Sequence, residues 1–273
     1  MCWPATVGPT VAEEDDPSAT AAFWNRQSRG WAARYDDRSA GSHALRERRA
    51  RALELLLAGG DGDAGVVLDV GCGPAVLAAD LVARGWSYVG VDLAESMVGA
   101  AGSVDAPTSA GHLSVADARR LPFAGRSVDA VVCLGVIDGV PEPGLAIAEM
   151  ARVLRPGGVV VVSFANRASP YARWSILVRQ ALAWLRSRRG GEGEDGRGAR
   201  RRLHTPRTAS ALLADAGFST TDVVHYYFNL FLPPLDQWLP HVARRLTVRL
   251  EVLRRGRLAW LGAGFLIVAT RDR

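Results

Sequence analysis

Five short runs rich in β-branched and other apolar residues, separated by stretches of helical character, constrain this 273-residue chain more than any other feature. The runs are Val66–Val70, Tyr88–Val91, Leu113–Val115, Val128–Leu134 and Val159–Phe164, with helix-like stretches near 75–84, 94–103 and 144–154. Strands that are apolar on both sides need cover on both faces, which crossover helices on a parallel sheet supply. The expected architecture is α/β: a Rossmann-like doubly wound, mostly parallel seven-stranded sheet with an inserted helical cap.

The rest of the chain divides around that core. Residues 1–20 read as a flexible tail and 21–58 as an N-terminal helical cap, stopped by Gly59-Gly60-Asp61-Gly62. Residues 59–165 form the core. Residues 166–258 form a variable cap, with a Trp- and Leu-bearing helix over 171–185, a mobile Gly/Glu/Asp loop over 190–198 and one core helix over 205–216. A strand over 219–228 pairs with the closing segment 259–273, whose strand spans 262–270, as an antiparallel hairpin.

All 33 basic residues are Arg, so a compositional bias accounts for part of the net charge of +5. The basic excess lies after residue 165. That excess supports a nucleic-acid partner only weakly, and the absence of a recognisable nucleic-acid module argues against one. Three cysteines, none in a CxxC pair, argue against a disulfide framework and a cysteine-built structural zinc site, and make the cytoplasm the expected location. The first 16 residues carry acids and no apolar core, so no signal peptide is expected, and no apolar run is long enough to span a bilayer.

The chemistry concentrates where the runs end. Val66-Val67-Leu68-Asp69-Val70 leads into Gly71-Cys72-Gly73-Pro74-Ala75 and a helix. Glycines there let the backbone approach a ligand closely, and a helix N-terminus favours an anionic group. Asp92 ends the second run, 21 positions after Gly71, where a carboxylate can accept bonds from both hydroxyls of a ribose or cap the next helix. Asp117 and Ala118 end the third run, and Cys133 and Leu134 the fourth. Val76 stands where a nicotinamide site wants Gly or Ala, which counts against a dehydrogenase.

These pieces together (LDVGCGPA, VGVDLAESM, SVADARRLPF, and VDAVVCLGVIDGV followed by EMARVLRPGGVVVVS) resemble the class I S-adenosylmethionine-dependent methyltransferases, in particular the quinone-modifying and secondary-metabolite branch. The resemblance covers residues 20–165. It implies S-adenosylmethionine as cofactor, with Asp69, Gly71, Cys72 and Gly73 at its methionine end and Asp92 and Leu93 at the ribose. Asp117 and Ala118 would hold the adenine, Cys133 and Leu134 would lie beside the cofactor, and Tyr35 would cover it. No metal is implied. Two departures stand out: Ala75 replaces a common third glycine, and Ile137-Asp138-Gly139 replaces a segment that carries His in close relatives, so a base role does not carry over.

An O- or C-acceptor needs a base, for which Asp138, His204, His225 and Tyr226 are candidates and His43 a weaker one. Each has a plain structural reading: Asp138 in a turn, His204 at a helix start, His225 and Tyr226 in a strand. The expected acceptor is a small molecule. A lipid-like or polyprenyl-quinone acceptor at a membrane surface is the alternative, because 171–185 and 240–255 read as Arg-rich amphipathic helices. Packing of those helices on their own domain is the other reading of the same pattern.

Overall fold

The structure, a computed structural model, describes residues 17–31, 40–58, 65–101, 112–188, 202–231 and 238–273. Tyr35, the Gly59–Gly62 stop, the 190–198 loop and the chain before Pro17 lie outside these residues.

Each strand run of the sequence becomes a strand: β1 Val66–Val70, β2 Ser87–Asp92, β3 His112–Val115, β4 Val128–Cys133 and β5 Leu154–Ala165, followed by β6 Phe218–Tyr226 and β7 Gly264–Arg271. They form one seven-stranded sheet in the order β3-β2-β1-β4-β5-β7-β6. The β1–β2, β1–β4, β2–β3 and β4–β5 pairings are parallel, while β7 runs antiparallel to both β5 and β6. Strand β5 begins five residues before the expected Val159. Arg155-Pro156-Gly157-Gly158 is absorbed as a bulge between the Val128–Leu154 and Ala130–Val159 pairs.

Alternation along the strands divides the core in two. Leu68, Val131, Cys133, Val160, Val162, Phe164 and Ile267 face one side, against Ile147 and Met150 of α5 (Pro143–Val153) and Ala209 and Leu213 of α7 (Pro206–Asp215). Val67, Ala130, Val132, Val161 and Leu266 face the other, against α2 (Ala40–Leu57) through Ala52, Leu53 and Leu56 and against α3 (Ala78–Val82) through Ala78 and Leu81. Helix α7 starts where Thr205-Pro206 predicts. The Thr205 hydroxyl accepts from the Thr208 N–H at 3.2 Å, and the Thr208 hydroxyl accepts from the Thr205 N–H at 2.9 Å.

Two boundaries move. Helix α1 spans Pro17–Trp31, so it starts inside the segment expected to be tail; Pro17 lacks only an N–H that a first helical turn leaves unbonded anyway. It packs on α4 (Glu95–Ala101), where Asn25 Oδ1 accepts from the Ser96 hydroxyl at 2.6 Å. The apolar stripe expected on α8 (Pro240–Leu250) is rotated: Ala243 and Thr247 are its buried residues and Val242 is half exposed. That face packs on the protein itself. Helix α6 (Pro170–Arg188) differs, with Trp174, Leu177 and Trp184 all exposed.

Candidate functional site

Parallel strands deliver their carboxyl ends to one rim of the sheet, and there the turn after β1 opens a narrow cleft. Leu45, Arg48 and Arg49 of α2 form one wall. Asp69, Gly71, Cys72, Val76, Leu77 and Leu134 form the rest. Asp69, Gly71, Cys72 and Leu134, predicted from the sequence, thus converge on one space.

The turn itself is built on positive φ. Gly71 sits at +73°, and a Cβ there would run into Val136. Gly73 sits at +54°, with only the Trp31 ring 3.8 Å from where its Cβ would be, so the space in front of it is open. Ala75, where the resemblance expects a third glycine, also sits at φ +51°, so this chain carries backbone strain there. The departure is tolerated at a conformational cost.

Asp69 lies on the α2 side of β1, 3% exposed, and accepts from the Tyr88 hydroxyl at 2.9 Å. Burial pushes its carboxyl up to about 7, helped by nearby Asp92 and opposed by the Tyr88 hydrogen bond and by Arg48. Arg48 is itself 8% exposed and fills the space a Cβ on Gly135 would need. Sequence reasoning missed Arg48 because it is one of four arginines within Arg46–Arg51, and only the docking of α2 shows which of them turns inward.

Asp92 joins the glycine turn after β1 to the loop after β2: its Oδ2 accepts from the Gly73 N–H and its Oδ1 from the Ala94 N–H, both at 2.9 Å. It forms a local turn two residues on, ahead of α4, rather than a cap inside the helix. An ionised carboxylate has about four acceptor sites, so room for two hydroxyl donors remains. Burial raises its pKa, and the Ala94 and Gly73 N–H groups oppose that.

At the end of β3, Asp117 is gripped by Arg119, whose Nε donates to Oδ1 at 3.2 Å and whose Nη2 donates to Oδ2 at 2.8 Å. Burial pushes the Asp117 carboxyl up, but the Arg119 bonds outweigh it and hold the group below the usual range. Leu93 and Ala118 are half-buried on either side of this rim. Cys133 is fully buried on the α5 side of the sheet, so only its backbone reaches the rim; burial raises the thiol pKa. The Cys72 thiol is likewise raised by burial.

The base candidates scatter. Asp138 is 4% exposed, and its two oxygens accept from the Ala165 N–H at 3.1 and 2.9 Å, tying the β4 exit to the end of β5. His204 packs edge-on against Phe164 at 5.3 Å. Its Nε2 is buried without a hydrogen-bond partner among the described residues, and burial lowers its pKa. His225 leans on Phe265 at 5.6 Å, on the opposite face of β6 from Tyr226, whose ring covers Gly264. Strand alternation therefore keeps His225 and Tyr226 from serving one site.

Residues 68–162 match the model of the family described as Methyltransferase domain. The chain is 30% identical over 175 residues to a ubiquinone biosynthesis O-methyltransferase of Rhizobium etli, covering 63% of this chain and 66% of that protein. It is 36% identical over 133 residues to an uncharacterized methyltransferase of Mycobacterium marinum, covering 48% of this chain and 52% of that one. It thus spans less than two-thirds of either relative. A magnesium protoporphyrin IX methyltransferase from Synechocystis, solved with S-adenosylhomocysteine, superposes with a TM-score of 0.62 over 94% of this chain and all of its own, at 19% identity. That likeness is one of fold. Among the described residues no helix is long and apolar enough to cross a membrane.

Proposed function

We propose, from the premise that residues 68–162 are a class I S-adenosylmethionine-dependent methyltransferase domain, that this protein transfers a methyl group from S-adenosylmethionine to an O, N or C atom of a small-molecule acceptor, in secondary metabolism. The observation that carries the reading is the convergence of a positive-φ glycine turn, the Asp69 carboxylate and a buried arginine on one cleft at the carboxyl rim, with the Asp92 carboxylate bonded to the same turn through the Gly73 N–H. The donor set fits the cofactor. Gly71 and Gly73 let the backbone lie against its methionine end, Asp69 faces the α-amino group and Arg48 the carboxylate. Asp92 receives the ribose hydroxyls, and Asp117 with Ala118 borders the adenine.

When bound, S-adenosylmethionine would supply a sulfonium methyl group for in-line transfer to the acceptor, with S-adenosylhomocysteine as the leaving group. The chain supplies alignment of the acceptor and exclusion of water, which can account for most of the acceleration. Asp138 spends both oxygens on the Ala165 N–H, so it holds the β4 exit in place. His204 Nε2 makes no hydrogen bond among the described residues, which leaves that nitrogen to act as a base if an acceptor reaches it. Titration calorimetry with S-adenosylmethionine, followed by transfer of labelled methyl to candidate phenols and amines, tests the reading; absence of cofactor binding would remove it.

The reading of a lipid-like or polyprenyl-quinone acceptor has its own support. Trp174 (43%), Leu177 (57%) and Trp184 (53%) form an exposed apolar stripe on α6 beside the exposed Arg173. Aromatics beside arginine suit the interface of an anionic bilayer. Co-sedimentation with anionic vesicles that disappears in a Trp174→Ser/Trp184→Ser variant is the expected result, and equal pelleting with and without vesicles rejects it.

A further inference from the structure

Away from the cofactor cleft, α2 turns a second polar face toward the C-terminal part of the chain. His43 and Glu47 stand one helical turn apart on it, and Glu251 faces them from the 3₁₀ turn Glu251–Arg255 that follows α8. His43 Nε2 lies 3.8 Å from Glu47 Oε2 and 3.7 Å from Glu251 Oε1, and one donor atom from each residue falls within 4.8 Å of the others. We propose that His43, Glu47 and Glu251 bind a divalent transition-metal cation of the zinc class, which clamps α2 to the segment after α8.

The spacing carries the argument. At 3.7 and 3.8 Å the imidazole is too far from either carboxylate for a hydrogen bond. Its Nε2 is nonetheless buried and has no hydrogen-bond partner among the described residues. Two donors that each bind one ion at ~2.1 Å stand roughly 3–4 Å apart, so an ion in the middle of this triangle meets all three after shifts of a few tenths of an ångström. The outer bonds are in place as well. The Tyr227 N–H donates to Glu47 Oε2 at 3.1 Å, and Arg51 Nη2 donates to Glu251 Oε2 at 3.0 Å, leaving Oε1 turned toward His43. The Glu47 side chain is only 5% exposed, an unfavourable place for a carboxylate beside a second one.

The imidazole nitrogen selects the metal: magnesium and calcium prefer all-oxygen shells, whereas zinc, cobalt and nickel accept mixed nitrogen and oxygen donors. Burial holds His43 below the ordinary histidine pKa, in the neutral form that a metal needs. Arg46, Arg51, Arg244 and Arg254 also act on this cluster. Their positive charge opposes a cation and weakens its binding. Three protein ligands leave at least one position for water. The site's role is to anchor the α2 wall that also presents Arg48 to the cofactor cleft.

The test uses the tag-free full-length protein, stripped with chelator and titrated with Co²⁺ and, separately, Zn²⁺. The expected result is one equivalent of Co²⁺ with visible ligand-field absorption, displaced by Zn²⁺, and a Zn²⁺-dependent rise of roughly 3 °C in the melting midpoint that chelator reverses. His43→Gln and Glu251→Gln should each weaken binding by at least ~10-fold. No bound metal in the wild type overturns the proposal, as does binding unchanged in both variants, which would mark an adventitious ion. If a variant fails to fold, the wild-type stoichiometry and the chelator-reversible midpoint decide. S-Adenosylmethionine titration of the same metal-free sample reports on the methyl-transfer reading independently.

Discussion

The backbone N–H of Gly73 donates to Asp92 Oδ2 at 2.9 Å, so the glycine turn after β1 and the acid ending β2 are one unit. Residues 19 positions apart in the chain meet because β1 and β2 pair in parallel, with Val70 opposite Val91. A ligand that engages one loop meets the other already in place.

Asp92→Ala removes the acceptor for two backbone donors and for both proposed ribose hydroxyls. Hydrogen bonds to a charged group contribute ~1.5–3 kcal/mol each, so S-adenosylmethionine affinity should fall by at least ~10-fold in titration calorimetry. A variant that binds like wild type removes the ribose assignment.

The two ends of the turn should respond oppositely to small changes. Ala75→Gly relieves a left-handed alanine and should raise the melting midpoint by about 2–4 °C, or ~1 kcal/mol. Gly71→Ala places a Cβ against Val136 at φ +73° and should lower both midpoint and cofactor affinity. Calorimetric melts of the two variants, run in parallel, check the contrast.

Asp69 gives opposite pH signatures to stability and to binding. Its folded pKa of about 7 lies above the ordinary 3.8, so the unligated fold holds that proton more tightly than the unfolded chain does. Its stabilising contribution is full below about pH 4 and is lost as pH rises toward 7. Tyr88, Asp92 and Arg48 face this carboxyl and set the window. A cationic α-amino group prefers the carboxylate, so cofactor affinity should rise between about pH 6 and 8, with proton release on binding. Calorimetry in buffers of different ionisation enthalpy measures that proton; Asp69→Asn should abolish it.

Asp138→Ala leaves the Ala165 N–H without its carboxylate acceptor at a partly buried strand end, a cost of ~1–3 kcal/mol. The expected outcome is a lower denaturation midpoint with the pH profile of residual turnover unchanged. A profile that loses an ionisation would instead make Asp138 the base.

Much of this protein was legible in its chain. Continuous apolar runs such as Val159–Val162 are buried between two helical layers, and Gly71 and Gly73 can be read as a turn because few other residues adopt those angles. Both properties belong to single segments, so local chemistry suffices to show them. The positive φ of Ala75, the inward turn of Arg48 among its neighbouring arginines, the placing of His225 and Tyr226 on opposite faces, and the meeting of His43 and Glu47 with Glu251 some 200 residues later needed the folded protein. Those depend on how α2 docks across β5, β6 and β7 and on the register of the closing hairpin. Long-range packing sets these relations, and hydrophobic burial, being non-directional, does not write them into any one stretch of sequence.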